Sequence, residues 1–433
     1  MAAANPRQGC GCGKLTEKER GMEPGQSKIY EIIIECLKKD KNRPQPDALS
    51  ALSDSEWADM LSLAAMQRIA PLLWHRIKQK KLEKLVPERA AAQLGDALLR
   101  NTLNNLRLNA EMARVLDALE AESIPLIPLK GIVLANTVYE NAGLREMNDI
   151  DVLAHPGDLR RIIEILTGMG YGPAHPIDVE WGVENLHHLP AMIKGNIKLE
   201  VHWTITHPNA TYNVAPDGLW ERSLPARIAG RKTLVFSAED MLLHLCLHTS
   251  YLHPFNFGLR PFCDIAELAD RLDLDWDIVT ERACIYHWQR GVYLALRLAA
   301  ELAGAAVPDE VLERLRPAGI TPEVMDAVLT QVLTDKYFAV SMTKPFAELL
   351  ASERFFKRLE VFRQRVFLPR KMIADLYEVP EGSPRIYGAY VRRFYDVLRR
   401  HAGDYIKFQK EDAAVKSLAY RTKLISDWMD ERA

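Results

Sequence analysis

The sequence predicts an α+β chain, with a small mixed sheet set between an N-terminal helical arm and a larger C-terminal helical region. Three observations predict it. Apolar residues recur at helical intervals before residue 121 and again after 230. Between those points the period shortens to strand alternation. Gly, Pro and Asn punctuate that middle stretch at its turns. The division that follows is a disordered leader over 1–27, the arm over 28–120, the α/β core over 121–230 and helices over 231–433.

The leader is rich in Gly, Pro and charge and has no periodicity. Ser53-Asp-Ser-Glu56 has the spacing of a capping box, and LSLAAMQRIAPLLWHRI after it is amphipathic. Residues 88–120 read as one long helix of Ala, Leu and Arg. The core opens with Ile124–Leu129, a short apolar run broken by proline and therefore an edge strand. A helix from Gly131 to about Asn141 follows, then the alternating strand Asp149–Leu153 and a helix over 156–169. His187–Ile193 and Ile197–Thr204 form a hairpin around Lys194-Gly195-Asn196, where Gly and Asn accept positive φ. Beyond 230 the pattern is almost wholly helical, over 262–272, 276–304, 321–335, 348–366 and 384–408.

At 433 residues, with 48% hydrophobic and 26% charged, the chain has ample material for a core. A formal net charge of −2 gives no bulk attraction to nucleic acid or anionic membrane. No apolar run is long enough to span a bilayer, and the N-terminus lacks a secretion signal, so a cytoplasmic location without membrane contact is expected. Cys36, Cys246, Cys263 and Cys284 lie in apolar segments as small core residues, while Cys10 and Cys12 have no partner pair at metal-ligand spacing.

The chemistry concentrates on carboxylates. Asp149 and Asp151 are i and i+2 on a strand, so both point to one face. Two like charges this close repel, and a divalent cation is the usual remedy. Neutralising either one should therefore leave stability equal or higher. Glu200 lies mid-strand between Leu199 and Val201, where an inward acid needs a partner or a metal, and His202 shares its face. Three acids on neighbouring strands suit two-metal nucleotidyl transfer with Mg²⁺ or Mn²⁺. Upstream, Lys130-Gly131 sits at a strand-to-helix junction, where Gly131 admits a phosphate and the new helix offers free N–H groups. Lys130 and Arg145 could add cationic contacts to the triphosphate.

At these residues the chain resembles the nucleotidyltransferase superfamily, and more closely the uncharacterised nucleotidyltransferase family of bacterial proteins. The matching segments are IPLIPLKG (124–131), Tyr139, LREMNDIDVL (144–153), IKLEVHW (197–203), HLCLHTS (244–250) and Asp264, with LSLAAMQRIAPLL and VFLPRKM (366–372) as flanks. The resemblance implies transfer of a nucleotidyl group from a nucleoside triphosphate such as ATP. It maps the metal acids onto Asp149, Asp151 and Glu200 and the glycine turn onto Lys130-Gly131. Where the superfamily has Gly-Ser or Gly-Gly, this chain has Lys-Gly-Ile, so Lys130 and the Gly131 N–H must stand in for the serine. The acceptor, whether small molecule, sugar, peptide or protein, is not fixed. The rival readings are an RNA- or tRNA-modifying, toxin-like enzyme, disfavoured by the weak charge, and a degenerate nucleotide-binding core, disfavoured by retention of all three acids.

His244 and His248, four apart on one helix, form a candidate zinc pair, but packing beneath the site is the favoured reading. Arg260 and Asp264 have the spacing of a helical ion pair. Basic residues between 353 and 400 (Lys357, Arg358, Arg363, Arg365, Arg370, Lys371, Arg392, Arg393, Arg399, Arg400) interleave with Phe355, Phe356, Phe362, Phe367, Tyr377, Tyr387 and Tyr390. That pattern fits a solvated helical face over an aromatic core better than an RNA surface.

Overall fold

The computed structural model describes residues 26–39, 46–208, 210, 212–333, 366–409 and 413–430. Residues 1–25 with Cys10 and Cys12, almost all of the helix expected at 348–366, and Phe355, Phe356, Lys357, Arg358, Phe362, Arg363 and Arg365 lie outside them.

The arm comprises α1 (Gln26–Leu37), α2 (Pro46–Ser50), α3 (Asp54–Met66), α4 (Ala70–Gln79) and α5 (Glu88–Glu120). Ser53 caps α3 reciprocally with Glu56, as the spacing requires. In the core, β1 (Ile127–Leu129), α6 (Lys130–Thr137), β2 (Ile150–Leu153) and α7 (Leu159–Gly168) precede β3 (Gly172–Pro173) and α8 (Val179–Asn185). The hairpin of β4 (Met192–Lys194) and β5 (Ile197–His202) turns at Gly195, whose φ is +58°. The sheet order is β1-β2-β5-β4-β3, with β2 parallel to β5 and the other neighbours antiparallel. β2 is thus the inner strand that joins the β1–α6 turn to the hairpin.

The helical reading beyond 230 begins too early. After α9 (Asp217–Glu221), β6 (Leu224–Ile228) pairs with β7 (Arg231–Val235), so a second hairpin straddles residue 230. Its turn is Ala229-Gly230, with φ of +50° and +76°, the backbone of a type I′ turn in which alanine replaces the usual Asn or Asp. Helices then follow: α10 (Ala238–Leu247), α11 (Arg260–Arg271), α12 (Trp276–Ile285), α13 (Gln289–Ala303), α14 (Asp309–Leu315), α15 (Pro322–Leu333), α16 (Arg370–Leu376), α17 (Arg385–Gln409) and α18 (Ala413–Asp430). The helix expected over 276–304 is broken after Ile285, where His287 takes a φ of +58°.

One apolar core runs from Ile33 and Leu73 in the arm through Ile127, Val152 and Leu199 in the sheet to Leu243, Phe262 and Leu296. The arm and the C-terminal helices therefore wall the sheet rather than hang from it. A small satellite core gathers Ile373, Ile386 and Ala389 with Tyr377 and Tyr390. There Tyr377 donates to Asp396, and Arg392 lies over the Tyr377 ring. These described members of the basic–aromatic stretch serve local packing. No helix among the described residues is long and apolar enough to cross a membrane.

Candidate active site

Sheet register builds the site. Asp151 pairs across β1 with Leu129, the residue before Lys130, and across β5 with Glu200. The turn, the acid and its partner acid therefore lie in one row. On β5, Lys198, Glu200 and His202 alternate with buried Ile197, Leu199 and Val201, so all three face the same side.

The oxygens divide their work. Asp151 Oδ2 lies 3.2 Å from Lys130 Nζ, and Glu200 Oε1 lies 2.5 Å from Lys198 Nζ. The other oxygens turn toward His202 Nε2, Asp151 Oδ1 at 3.5 Å and Glu200 Oε2 at 3.8 Å. These separations are too long for hydrogen bonds. The imidazole is 4% exposed, and its Nε2 is buried with no hydrogen-bond partner. Among the described residues, one ligand atom from each of Asp151, Glu200 and His202 lies within 4.8 Å of the other two. Cis ligands on a divalent cation sit about 3 Å apart for bonds of about 2.1 Å. A small inward shift would close the set, and the orphaned nitrogen fits a metal ligand. Two carboxylates and one imidazole are a competent donor set for a divalent ion.

Asp149 stands apart. It precedes β2 at the mouth of the site, with its side chain 43% exposed and its Oδ2 4.0 Å from Lys198 Nζ. Its carboxyl is raised above its ordinary value by burial and then by repulsion from Asp151. Asp151 behaves oppositely. Burial alone would raise it, but Lys130 holds it well below the usual carboxylate range. The expectation that both acids are equally frustrated therefore fails for Asp151, whose charge Lys130 already balances. Burial pulls His202 down, although Asp151 opposes this, which keeps the ring neutral.

Gly131, expected to admit a phosphate, is approached by protein instead, and Lys130 bears the unusual backbone of the turn. Lys130, not the glycine, takes the left-handed φ of +41°. A lysine held there is strained by about 1–2 kcal/mol, which turns its side chain onto Asp151. Gly131 is needed for space. A Cβ on it would lie 2.7 Å from Arg145 Nη1 and 3.3 Å from Met147 Sδ. The face of Gly131 that lacks a side chain is thus filled by protein.

Arg145 does not lie free for a triphosphate. It is 6% exposed and grips Asp264 at two points, Nε to Oδ1 and Nη2 to Oδ2, each at 2.9 Å. Tyr139 donates to the same Oδ1 at 2.8 Å. Burial would lower Arg145, but Asp264 holds it above its ordinary value. The helical pair expected between Arg260 and Asp264 is replaced by this longer-range one. The loop between Arg145 and Asp149 is pinned by α5, where Asn101 and Asn105 donate to the Arg145 carbonyl and Asn104 to that of Met147. The signal was present as poor helix formers at i, i+3 and i+4 in a helix of good ones. Lys198, two residues before Glu200, joins the site by the same alternation that sets Glu200 and His202 on one face.

His244 and His248 close the floor by packing. His244 meets Phe236 edge-on with ring centres 5.6 Å apart, and His248 lies against His253 and Phe257. Burial lowers both imidazoles well below their ordinary range, so both are neutral. Neither belongs to a compact group of metal-ligating atoms among the described residues.

No curated protein and no solved structure matches the chain. A family model described as uncharacterised nucleotidyltransferase matches residues 53–304, which takes in the last three helices of the arm, the whole sheet and the helices as far as α13. Covering more than half of the sequence, that match shows that the chain belongs to the uncharacterised nucleotidyltransferase family.

Proposed function

We propose that the protein transfers a nucleoside monophosphate from a nucleoside triphosphate to an acceptor hydroxyl, with Mg²⁺ or Mn²⁺ held by Asp151, Glu200 and His202 and approached by Asp149 at the mouth. The observation that carries this is the register that sets Asp151 opposite Glu200 with the orphaned His202 Nε2 between them. A divalent ion held there would neutralise charge on the reacting phosphate. In the reaction the acceptor hydroxyl oxygen bonds to the α-phosphorus and gives up its proton to solvent, the P–O bond to the β-phosphate breaks, and pyrophosphate leaves.

The chain's own groups divide the remaining tasks. Lys130 balances Asp151 and supplies a cation at the start of α6, where free N–H groups also favour phosphate. Burial would lower the Lys198 ammonium, but Glu200 and then Asp149 hold it above its ordinary value, so it remains a cation between those acids. We assign Glu200, on the strand that pairs with β2, to the acceptor side, as in-line attack requires a group across from the leaving pyrophosphate. Its Oε2, the oxygen not taken by Lys198 and turned toward His202, is the one it would offer to the metal. Arg145 acts from beneath, by filling the space against Gly131 and fixing the loop to Asp149.

The test incubates the protein with each of the four NTPs, labelled on the α-phosphate, with Mg²⁺ or Mn²⁺ and with or without RNA. The expected result is metal-dependent pyrophosphate release with label on a product, lost in Asp151→Asn. Absence of NTP binding under all conditions would overturn the reading. Label transferred only when RNA is present would select the RNA-modifying alternative.

A further inference from the structure

Two arginines outside the carboxylate site are brought together by a staple between distant corners of the chain. Gln67, wholly buried after α3, accepts at Oε1 from the backbone N–H of Leu259 at 2.9 Å and donates through Nε2 to Tyr30 Oη at 2.7 Å. The next residue on each side is an arginine, Arg68 and Arg260, so both leave the same fixed corner. Both reach Glu146, on the loop three residues before Asp149. Arg260 Nη1 donates to the Glu146 carbonyl at 3.0 Å, and Arg68 Nε lies 3.7 Å from Glu146 Oε2.

These groups are under-partnered. Arg68 Nη2 and Arg260 Nε are buried with no hydrogen-bond partner, in a chain where such groups are normally satisfied. The nearby Asp264 is already gripped at two points by Arg145, so among the described residues Glu146 is the acid in contact with Arg68, while Asp264 and Asp149 act on Arg260 from further off. Arg260 is also the first residue of α11, a 12-residue helix whose positive end disfavours a cation. Arg68 is held at a φ of +58°, a backbone that non-glycine residues seldom adopt. The arrangement is positive, rigid and short of acceptors. An oxyanion would balance the charge and supply the missing acceptors, and guanidiniums are suited to the charge and donor demands of a phosphate.

We propose that Arg68 and Arg260 form a phosphate subsite beside the mouth marked by Asp149, with Glu146 as the counter-ion that phosphate displaces. The assignment rests on the nucleotidyl transfer reading only for what carries the phosphate, which is either the tail of the donor nucleotide or a phosphorylated acceptor. In support, burial raises the Glu146 carboxyl although Arg68 and Arg260 oppose it, so it is a weak counter-ion. The Asp149 charge also acts on Arg260, which places the two features in one electrostatic neighbourhood.

The test is calorimetric titration of the full chain with inorganic tripolyphosphate, without metal. Arg68→Gln and Arg260→Gln should each weaken binding about tenfold, the equivalent of one charge-assisted hydrogen bond of ~1.4 kcal/mol. Glu146→Gln should tighten it, an inversion that a merely structural role would not produce. Wild-type affinity in the double arginine variant, or weaker binding in Glu146→Gln, overturns the subsite. If Arg260→Gln fails to fold, Arg68→Gln decides alone, since that side chain is 28% exposed. Parallel titrations use an NTP with a non-hydrolysable α–β bridge and a sugar phosphomonoester. Losses confined to the first identify the donor tail, losses confined to the second a phosphorylated acceptor, and either supports the subsite. Tripolyphosphate binding that depends on both arginines, in a protein that transfers no label, would leave the subsite standing and remove the transferase reading. Label transfer with arginine-independent tripolyphosphate binding would do the reverse.

Discussion

Removing the Asp264 carboxylate should be among the most damaging single changes to this protein. Asp264 is 2% exposed and accepts three hydrogen bonds, two from Arg145 and one from Tyr139. In Asp264→Ala the guanidinium stays buried with no counter-charge, and breaking such a pair from one side costs about 3–5 kcal/mol. Tyr139→Phe removes one neutral donor to the carboxylate and should cost about 0.5–3 kcal/mol. Replacing both charges, as in Arg145→Met with Asp264→Leu, removes the uncompensated charge and leaves only the Tyr139 hydroxyl without its acceptor, so it should recover much of the loss. Urea unfolding of Arg145→Met, Asp264→Leu and the double gives the coupling energy directly. The folded fraction of Asp264→Ala should also bind metal more weakly, because a relaxed Arg145 no longer holds Gly131 and the loop to Asp149. If Asp264→Ala cost under 1 kcal/mol, or the double cost the sum of the singles, Arg145 would not be the buttress described here.

Gly131→Ala should destabilise by about 1–3 kcal/mol, since the added methyl meets Arg145 Nη1 at 2.7 Å and that guanidinium is locked; thermal unfolding checks this, and an unchanged midpoint refutes it. The two aspartates should part company. Asp151 sits below its ordinary 3.8 in the fold, so its contribution is present above that value and lost as pH falls through the lower folded value. Asp149 is raised, so its ionised form opposes folding above its folded value, and stability recovers as pH falls through it. Asp151→Asn should therefore destabilise at neutral pH and Asp149→Asn should be neutral or stabilising; equal effects in pH-dependent unfolding curves would contradict the assignment. His202→Asn should weaken Mn²⁺ more than Mg²⁺ in equilibrium dialysis, because Mg²⁺ gains little from a nitrogen ligand. Parallel losses for the two ions would remove His202 from the ligand set.

The acids and their strands were legible because alternation is a two-residue signal that survives in any buried strand. Asp151, Glu200 and His202 needed only that rule and adjacency of the strands. The parts that stayed hidden depend on distance in sequence. Nothing near Arg145 announces that its partner is Asp264, 119 residues away, nor near Gln67 that it will meet Leu259. Gly131 illustrates the limit well. A glycine at a strand-to-helix turn suggests either backbone freedom or close approach, and only the packing reveals that Arg145 makes the approach while Lys130 bears the positive φ. The β6–β7 hairpin was missed for a local reason, since Ala-Gly is a weak turn signal beside Asn-Gly.

The site is therefore a product of three stretches of chain, not of the sheet alone. β2 and β5 supply the row of Asp151, Glu200 and His202, but the loop that delivers Asp149 has little regular structure of its own between Arg145 and Ile150. Its carbonyls are held by Asn101, Asn104 and Asn105 of the arm, and its first side chain by Asp264 of the C-terminal helices. An isolated sheet would keep Asp151 and Glu200 opposite each other, because ladder register fixes them. It would lose the fixed position of Asp149 and the filled face of Gly131. The long helix α5 and the start of α11 thus help to fix the position of Asp149, and both lie within the 53–304 that the family model matches.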